Sequence, residues 1–107
     1  MLAAEPLVIT LEGEFDLYGQ AGLKHALEPA RHAPSVIVDF SKVRYIDSSA
    51  LSVIVTVHRD RIKAGLRRPS IAAANPQIKR LLSLTQVDRL WLLCDTVDEA
   101  RSALEKQ

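Results

Sequence analysis

The sequence predicts an α/β domain, a largely parallel sheet covered by helices. Short β-rich runs alternate along the chain with segments of helical spacing. The chain has 107 residues with no repeat, low-complexity tract or internal linker, which fits one domain spanning residues 1–107. Aromatic residues make up only 5% while hydrophobic residues make up 48%, so Val, Ile, Leu and Ala must fill the core.

Leu7 to Glu12 reads LVITLE between Pro6 and Gly13 and is the first expected strand. In YGQAGLKHALEP, Leu23, Ala26 and Leu27 keep helical spacing, and Pro29 disfavours continuation, so a helix of about three turns is expected. Ala33-Pro34 marks a loop. Ser35 to Phe40 reads as a buried strand, and Ser41 to Ile46 as a connection. Ser48 to Ala64, SSALSVIVTVHRDRIKA, carries two patterns. Residues 51, 53, 55 and 57 alternate like a strand, yet Leu51, Ile54, Val55, His58 and Ile62 fit one helical face. The length of the segment, the cap candidates Asp47 and Ser48, and Gly65 at its end favour a helix. Leu51, Ile54, Val55 and Ile62 are then expected to pack on the sheet.

Ser70 to Ala74 is a weaker third strand. Asn75-Pro76 opens a helix whose inner face is Ile78, Leu81 and Leu82, with Asn as cap and Pro at the first helical position. Leu90 to Leu93, LWLL, reads as a short strand. Thr96-Val97-Asp98-Glu99 is a capping box for a last helix with Val97, Ala100 and Leu104 inside.

Global features exclude several function classes. A formal charge of +1 advertises neither nucleic acid nor an anionic membrane as partner. Cys94 is the sole cysteine, so an internal disulfide and a Cys-based zinc cluster are ruled out. The start, MLAAEPLVITLEGE, does not read as a secretory signal, and apolar stretches such as Ser52 to Val57 are far shorter than a membrane span. A soluble cytoplasmic domain is expected. His25, His32 and His58 are scattered without paired ligand spacing, so no metal and no cofactor is expected. Cys94 reads as a small buried hydrophobe rather than a nucleophile. Neither Gly-x-Ser-x-Gly nor a Walker lysine loop occurs. Arg59, Arg61, Lys63, Arg67 and Arg68 read as a solvated basic face that complements the helix dipole.

The sharpest local feature runs from Asp39 to Leu51, DFSKVRYIDSSAL. A buried strand ends, a turn follows, and Ser48 and Ser49 open a helix. First-turn amides of a helix carry partial positive charge, and a phosphate on Ser48 would sit where such amides can receive it. By local pattern alone, Asp47 and Ser48 also read simply as caps.

VIVDFSKVRYIDSSAL resembles the signature of the STAS domain and, within it, of the anti-sigma factor antagonists, whose pattern is Asp-Leu-Ser, a hydrophobic pair, then Asp-Ser-Ser/Thr-Gly-Leu. LEGEFD at Leu11 to Asp16 is similar to the family's Leu-Thr-Gly-Glu-Leu-Asp. NPQIKRLL at Asn75 to Leu82 is similar to its Ser-Pro-x-Val-x-Arg-Leu-Leu. The resemblance covers nearly the whole chain and implies a STAS fold, a mixed, largely parallel sheet of four to five strands with about four helices. It also implies that Ser48 accepts phosphate from an anti-sigma factor that is itself a serine kinase, and that a PP2C-type phosphatase removes it. The unphosphorylated form would bind that kinase and free the sigma factor, and the domain would be a substrate and binding module rather than an enzyme. Asp47 and Asp16 match the family's acidic positions. The partner surface expected around Ser48 comprises Asp16, Tyr18, Tyr45, Ile46, Asp47, Ser49, Ala50 and Leu51.

Two departures stand out. Ala50 replaces the usual Gly, which either crowds a partner or favours the helix. Only Met1 to Glu5 precede Pro6, so the family's extra N-terminal strand is expected to be shortened. Asp16 is read both as a cap and as partner surface, and Tyr18, Tyr45 and Ile46 both as a contact patch and as packing. Ser49 is read chiefly as a first-turn residue. Two rival functions remain open. One is a phosphorylation-independent STAS subunit, for instance of a lipid-transport ATPase. The other is a small enzyme using Asp16 and Asp47 as a carboxylate pair, which would need a deep pocket lined by both.

Overall fold

A computed structural model describes residues 5–16 and 18–105. Four parallel strands, β1 (Leu7–Phe15), β2 (Val36–Ile46), β3 (Ser70–Ala72) and β4 (Leu92–Cys94), form a sheet in the order β1-β2-β3-β4. Each parallel neighbour is reached through a crossover, which helices α1 (Gln20–Leu27), α2 (Ser48–Lys63) and α3 (Pro76–Leu84) supply. A fourth helix, α4 (Val97–Glu105), follows β4. Short 3₁₀ turns at Glu28–Arg31 and Val87–Arg89 end the α1 and α3 crossovers. The sheet of the described residues is wholly parallel, so the expected mixed character is corrected there. The expected fragment of an extra strand at residues 1–4 lies outside the described residues.

Strand alternation divides the core into two layers. Val36, Val38 and Phe40 of β2 pack with Leu23, Leu27, Val53, Ile54, Val57, Ile78 and Leu82 under α1, α2 and α3. Ile37, between them in sequence, faces the other way and packs with Ala72, Ala100 and Leu104 under α4. The aliphatic composition is thereby spent on both faces. Trp91 is fully buried, and its indole N–H donates to Ile54 O at 3.2 Å, so the largest side chain of the core has its polar atom satisfied.

The sequence reading missed the length of the first two strands. Ser41 to Ile46, expected as a connection, continues β2, and β1 runs on to Phe15. Register shifts between Thr10/Glu12 and Gly13/Glu14 insert extra residues on the β2 side. The Asp39 carboxylate accepts from Ser41 N–H at 2.9 Å at the first shift. These bulges broke the alternating pattern that marks a strand, while Val43 and Ile46 still reach the core. The consequence is functional: β1 and β2 carry their ends beyond the rest of the sheet, and Phe15 pairs with Ile46 immediately before α2.

The predicted α2 stands, despite its Val and Ile content, but one face assignment does not. Ile62 is 57% exposed, and Arg61 is fully buried in its stead. Arg61 falls two turns after Ile54 and shares its face, so the helical period carries a charged residue inward. Its guanidinium donates to Ala30 O at 2.8 Å, Ala33 O at 2.6 Å, Pro34 O at 3.2 Å and Arg67 O at 2.8 Å. Arg61 therefore leaves the expected solvated basic face, to which the exposed Arg59, Lys63, Arg67 and Arg68 do belong. β3 is shorter than expected because Ala73 adopts a φ of 61° and turns the chain. β4 begins at Leu92, since Leu90 and Trp91 complete the preceding 3₁₀ turn.

Candidate functional site

The site is built where β2 passes into α2. Asp47 is the helix cap: its Oδ1 accepts from Ser49 N–H at 2.8 Å and from Ala50 N–H at 3.4 Å. Its own N–H donates to Phe15 O at 3.2 Å, which locks the start of α2 to the end of β1. Ser48 is the first helical residue and is exposed. This settles which residue caps: Asp47 does, and Ser48 stands free of that duty. It also corrects the expected anion site, because the carboxylate of Asp47 already takes two of the first-turn amides. A negative group on Ser48 would share that helix end with an existing negative charge.

The turn after β1 lies beside this junction. Asp16 Oδ1 accepts from Tyr18 N–H at 3.0 Å and Gly19 N–H at 3.1 Å. Asp16 thus closes the turn before α1, whose cap residue is Gly19. Gln20 Nε2 donates to Ser49 O at 3.4 Å and bridges the first turns of α1 and α2. Sequence reasoning missed Gln20, since a polar residue at a helix start carries no pattern of its own. On the β2 side, Asn75 caps α3 through Ile78 N–H at 2.9 Å, and its amide donates to Val43 O at 3.4 Å and Arg44 O at 3.3 Å.

The eight residues expected around Ser48 divide by exposure. Tyr18 is 94% exposed and Tyr45 is 50% exposed, so both present aromatic surface. Asp16, Asp47 and Ser49 are half-buried. Ile46, Ala50 and Leu51 are buried in the main core and offer no side-chain surface. The methyl of Ala50 meets the core, so it favours the helix rather than crowding a partner. Arg44 and Glu14 flank the site across β1 and β2, with Nε and Oε1 3.9 Å apart.

A groove of about 400 Å³ runs between α1 and α2, lined by Gln20, Lys24, Glu28, Arg31, Ser52, Val53, Thr56, Val57 and Asp60. Neither Asp16 nor Asp47 lines it, and both carboxylates accept backbone amides instead. The geometry gives no support to a carboxylate pair working on a substrate. Cys94 is half-buried, and burial, followed by the nearby Glu99 and Asp95 carboxylates, pushes its thiol up, away from a reactive thiolate. Among the described residues no helix is long and apolar enough to cross a membrane.

A family model described as "Mlab, STAS domain" matches residues 2–94. The chain belongs to the STAS-domain family. A STAS-domain containing protein of Pseudomonas aeruginosa is 26% identical over 88 residues, covering 81% of this chain and 86% of the relative. A solved structure from Thermotoga maritima, described as a candidate anti-sigma factor antagonist, is 26% identical and superposes with a TM-score of 0.76 over 92% of this STAS domain and 86% of that chain. A sulfate transporter family protein of Wolinella succinogenes is 14% identical with a TM-score of 0.78, covering 94% of this chain and 84% of that one, a likeness of fold alone. The same scaffold therefore serves more than one kind of protein, and the function of this STAS domain rests on its site.

Proposed function

We propose that this STAS domain is an anti-sigma factor antagonist. Its unphosphorylated form binds an anti-sigma factor serine kinase and releases the sigma factor. Phosphorylation at Ser48 by that kinase, with its own ATP, switches binding off, and a PP2C-type phosphatase restores it. The domain acts in the cytoplasm as a substrate and binding module, without direct contact to nucleic acid or membrane. The observation that carries this reading is the exposed Ser48 hydroxyl directly after a cap carboxylate that already occupies the first-turn amides.

The physics of the switch is local. A phosphoserine brings about −1.5 to −2 charges at neutral pH. Beside Asp47, and near Asp16, it has no free first-turn amide at Ser49 or Ala50 to neutralise it. Pressed into a docked partner, it meets repulsion and loses its hydration. A penalty of about 3 kcal/mol weakens binding more than 100-fold, enough for a switch. Tyr18 and Tyr45 supply rigid aromatic contact area beside it. The reading is supported further by the likeness to the Thermotoga maritima protein.

The test is phosphate mapping. Incubated with the partner kinase and ATP, the wild type should gain one phosphate at Ser48 and Ser48→Ala should gain none. A PP2C-type phosphatase should then remove it. Equal labelling of Ser48→Ala, with phosphate mapped to Ser49, would overturn the assignment.

A further inference from the structure

β2 is held unequally along its two edges. Beside β1 its pairing runs from Val36 to Ile46, whereas beside β3 it covers only Ile37 to Asp39. β3 stops because Ala73 takes a φ of 61°, a left-handed backbone that an alanine adopts only at some cost. That turn carries the chain to Asn75 instead of extending the sheet. Among the described residues, positions 40–46 of β2 therefore have no strand on this edge. The same stretch carries Tyr45 and leads into Asp47 and Ser48.

Asn75 stands in for the missing strand. Its side-chain oxygen accepts from Ile78 N–H at 2.9 Å and caps α3. That bond fixes which way the amide points, so Nδ2 faces β2 and donates to Val43 O at 3.4 Å and to Arg44 O at 3.3 Å. Among the described residues, Asn75 is the one side chain outside β2 that bonds to the backbone of positions 40–46. Its footing is firm, because Ala74 before it and Ile78 after it are buried in the main core. The junction before α2 is thus held from two sides. Phe15 O accepts from Asp47 N–H on the β1 side, and Asn75 donates to two carbonyls just upstream on the other. Capping α3 needs only an acceptor, which serine or aspartate supplies equally well. The donor toward β2 is what the amide adds.

We propose that Asn75 is a positioning residue for the Ser48 surface: it holds the end of β2 so that Tyr45 and Ser48 are in place before the partner docks. This rests on the reading of Ser48 above. A surface ordered beforehand does not have to be ordered on docking. Loss of the amide donor should therefore raise the KM of this domain as a kinase substrate and leave kcat, a property of the docked complex, unchanged.

The experiment compares Asn75→Asp and Asn75→Ser, which keep the α3 cap, with Thr96→Ala. Thr96 accepts from Glu99 N–H at 3.0 Å and caps α4 on the other face of the sheet. Thr96→Ala should lower the melting temperature by roughly 4–8 °C and leave the KM for Ser48 phosphorylation as in the wild type. The two Asn75 variants should melt no lower than it, yet raise that KM by about threefold to tenfold. Exchange of the Asp47 amide with solvent deuterium, followed by NMR, should quicken in both of them and not in Thr96→Ala. Wild-type KM in both Asn75 variants, with Ser48 phosphorylated, overturns the positioning role and leaves the Ser48 reading standing. An equal rise of KM in Thr96→Ala also overturns it, since lost stability then explains the effect. If no form of the protein accepts phosphate at Ser48, the Ser48 reading falls and exchange alone decides: faster exchange at Asp47 in both Asn75 variants upholds the hold on β2, and wild-type exchange overturns it.

Discussion

The two ends of α2 follow opposite rules. At its start, Ser48 presents a small hydroxyl to solvent, and Asp47 satisfies the helix amides from the side. Near its end, Arg61 buries a whole guanidinium among the carbonyls of Ala30, Ala33, Pro34 and Arg67. One end leaves an exposed hydroxyl that takes no part in the helix cap. The other holds a fixed charge that ties α2 to the turn after α1 and to its own following loop. Burial lowers the pKa of Arg61, yet an arginine stays protonated throughout the physiological range. The difference teaches where to look for function on this helix: at the end where a charge can be added cheaply, not at the end that carries the most polar contacts.

Substitution should expose this asymmetry, and the largest effect is expected at Arg61. Arg61→Met keeps much of the volume but leaves buried carbonyls without donors, at a cost of about 3 kcal/mol or more. Thermal unfolding should then fall by roughly 10–20 °C. At temperatures where the variant is folded, phosphorylation of Ser48 should proceed as in the wild type. A variant as stable as the wild type would show that the buried guanidinium does not anchor the helix.

Asp47→Ala should come next. It removes the cap and costs about 1 kcal/mol, read as a fall in melting temperature of roughly 4–8 °C. It also frees the Ser49 and Ala50 amides, so phosphorylation should weaken partner binding less in this variant than in the wild type. The exposed end of α2 then tolerates negative charge better.

A smaller effect separates the ends by pH. Burial, then the positive charges of Arg68 and Arg61, hold His58 below the usual histidine pKa. Its lowered folded-state pKa means that the unfolded chain binds the proton more readily. The stability it contributes is complete above the unfolded value of about 6.5 and is lost as pH falls from there toward the folded value. Denaturant melts of the wild type should lose stability from pH 7.5 to pH 5.5, and His58→Gln should lose less. Equal acid sensitivity of the two proteins would contradict the assignment. The smallest effect is expected from Ser48→Ala, which removes no cap bond and should change stability by less than about 0.5 kcal/mol.

Much of this was legible in the sequence. The alternation of strands and helices, the Asn75-Pro76 start and the Asp47-Ser48-Ser49 junction each carried local chemistry, and each holds. Thr96 accepts from Glu99 N–H at 3.0 Å as the capping box predicts, although Glu99 reaches back to Asp95 N–H rather than to Thr96. The second half of β2 was hidden, because two register shifts spoil the alternation on which strand recognition depends. Arg61 was hidden for a different reason. Hydropathy assigns an arginine to solvent, and only the positions of four backbone carbonyls, three after α1 and one in the loop after α2, reverse that preference. At the candidate site, the motifs pointed to Ser48, Asp47 and Asp16, and position beside them pointed to Tyr18 and Tyr45, whereas the burial of Ile46, Ala50 and Leu51 follows from packing that no short motif encodes.

The central claim, that charge at residue 48 controls partner binding, is tested most directly by comparing four forms in titration calorimetry. Wild type, Ser48→Ala, Ser48→Asp and the phosphorylated protein are titrated against the purified anti-sigma factor kinase with a nucleotide that cannot be hydrolysed. Ser48→Ala should bind like the wild type, because Asp47 keeps the cap. Ser48→Asp adds about one charge and should bind more weakly. The phosphorylated form adds nearly two and should bind weakest, by about 100-fold or more. If the phosphorylated form binds as tightly as the wild type, the switch does not lie at this surface, and a phosphorylation-independent STAS subunit becomes the better account of the domain.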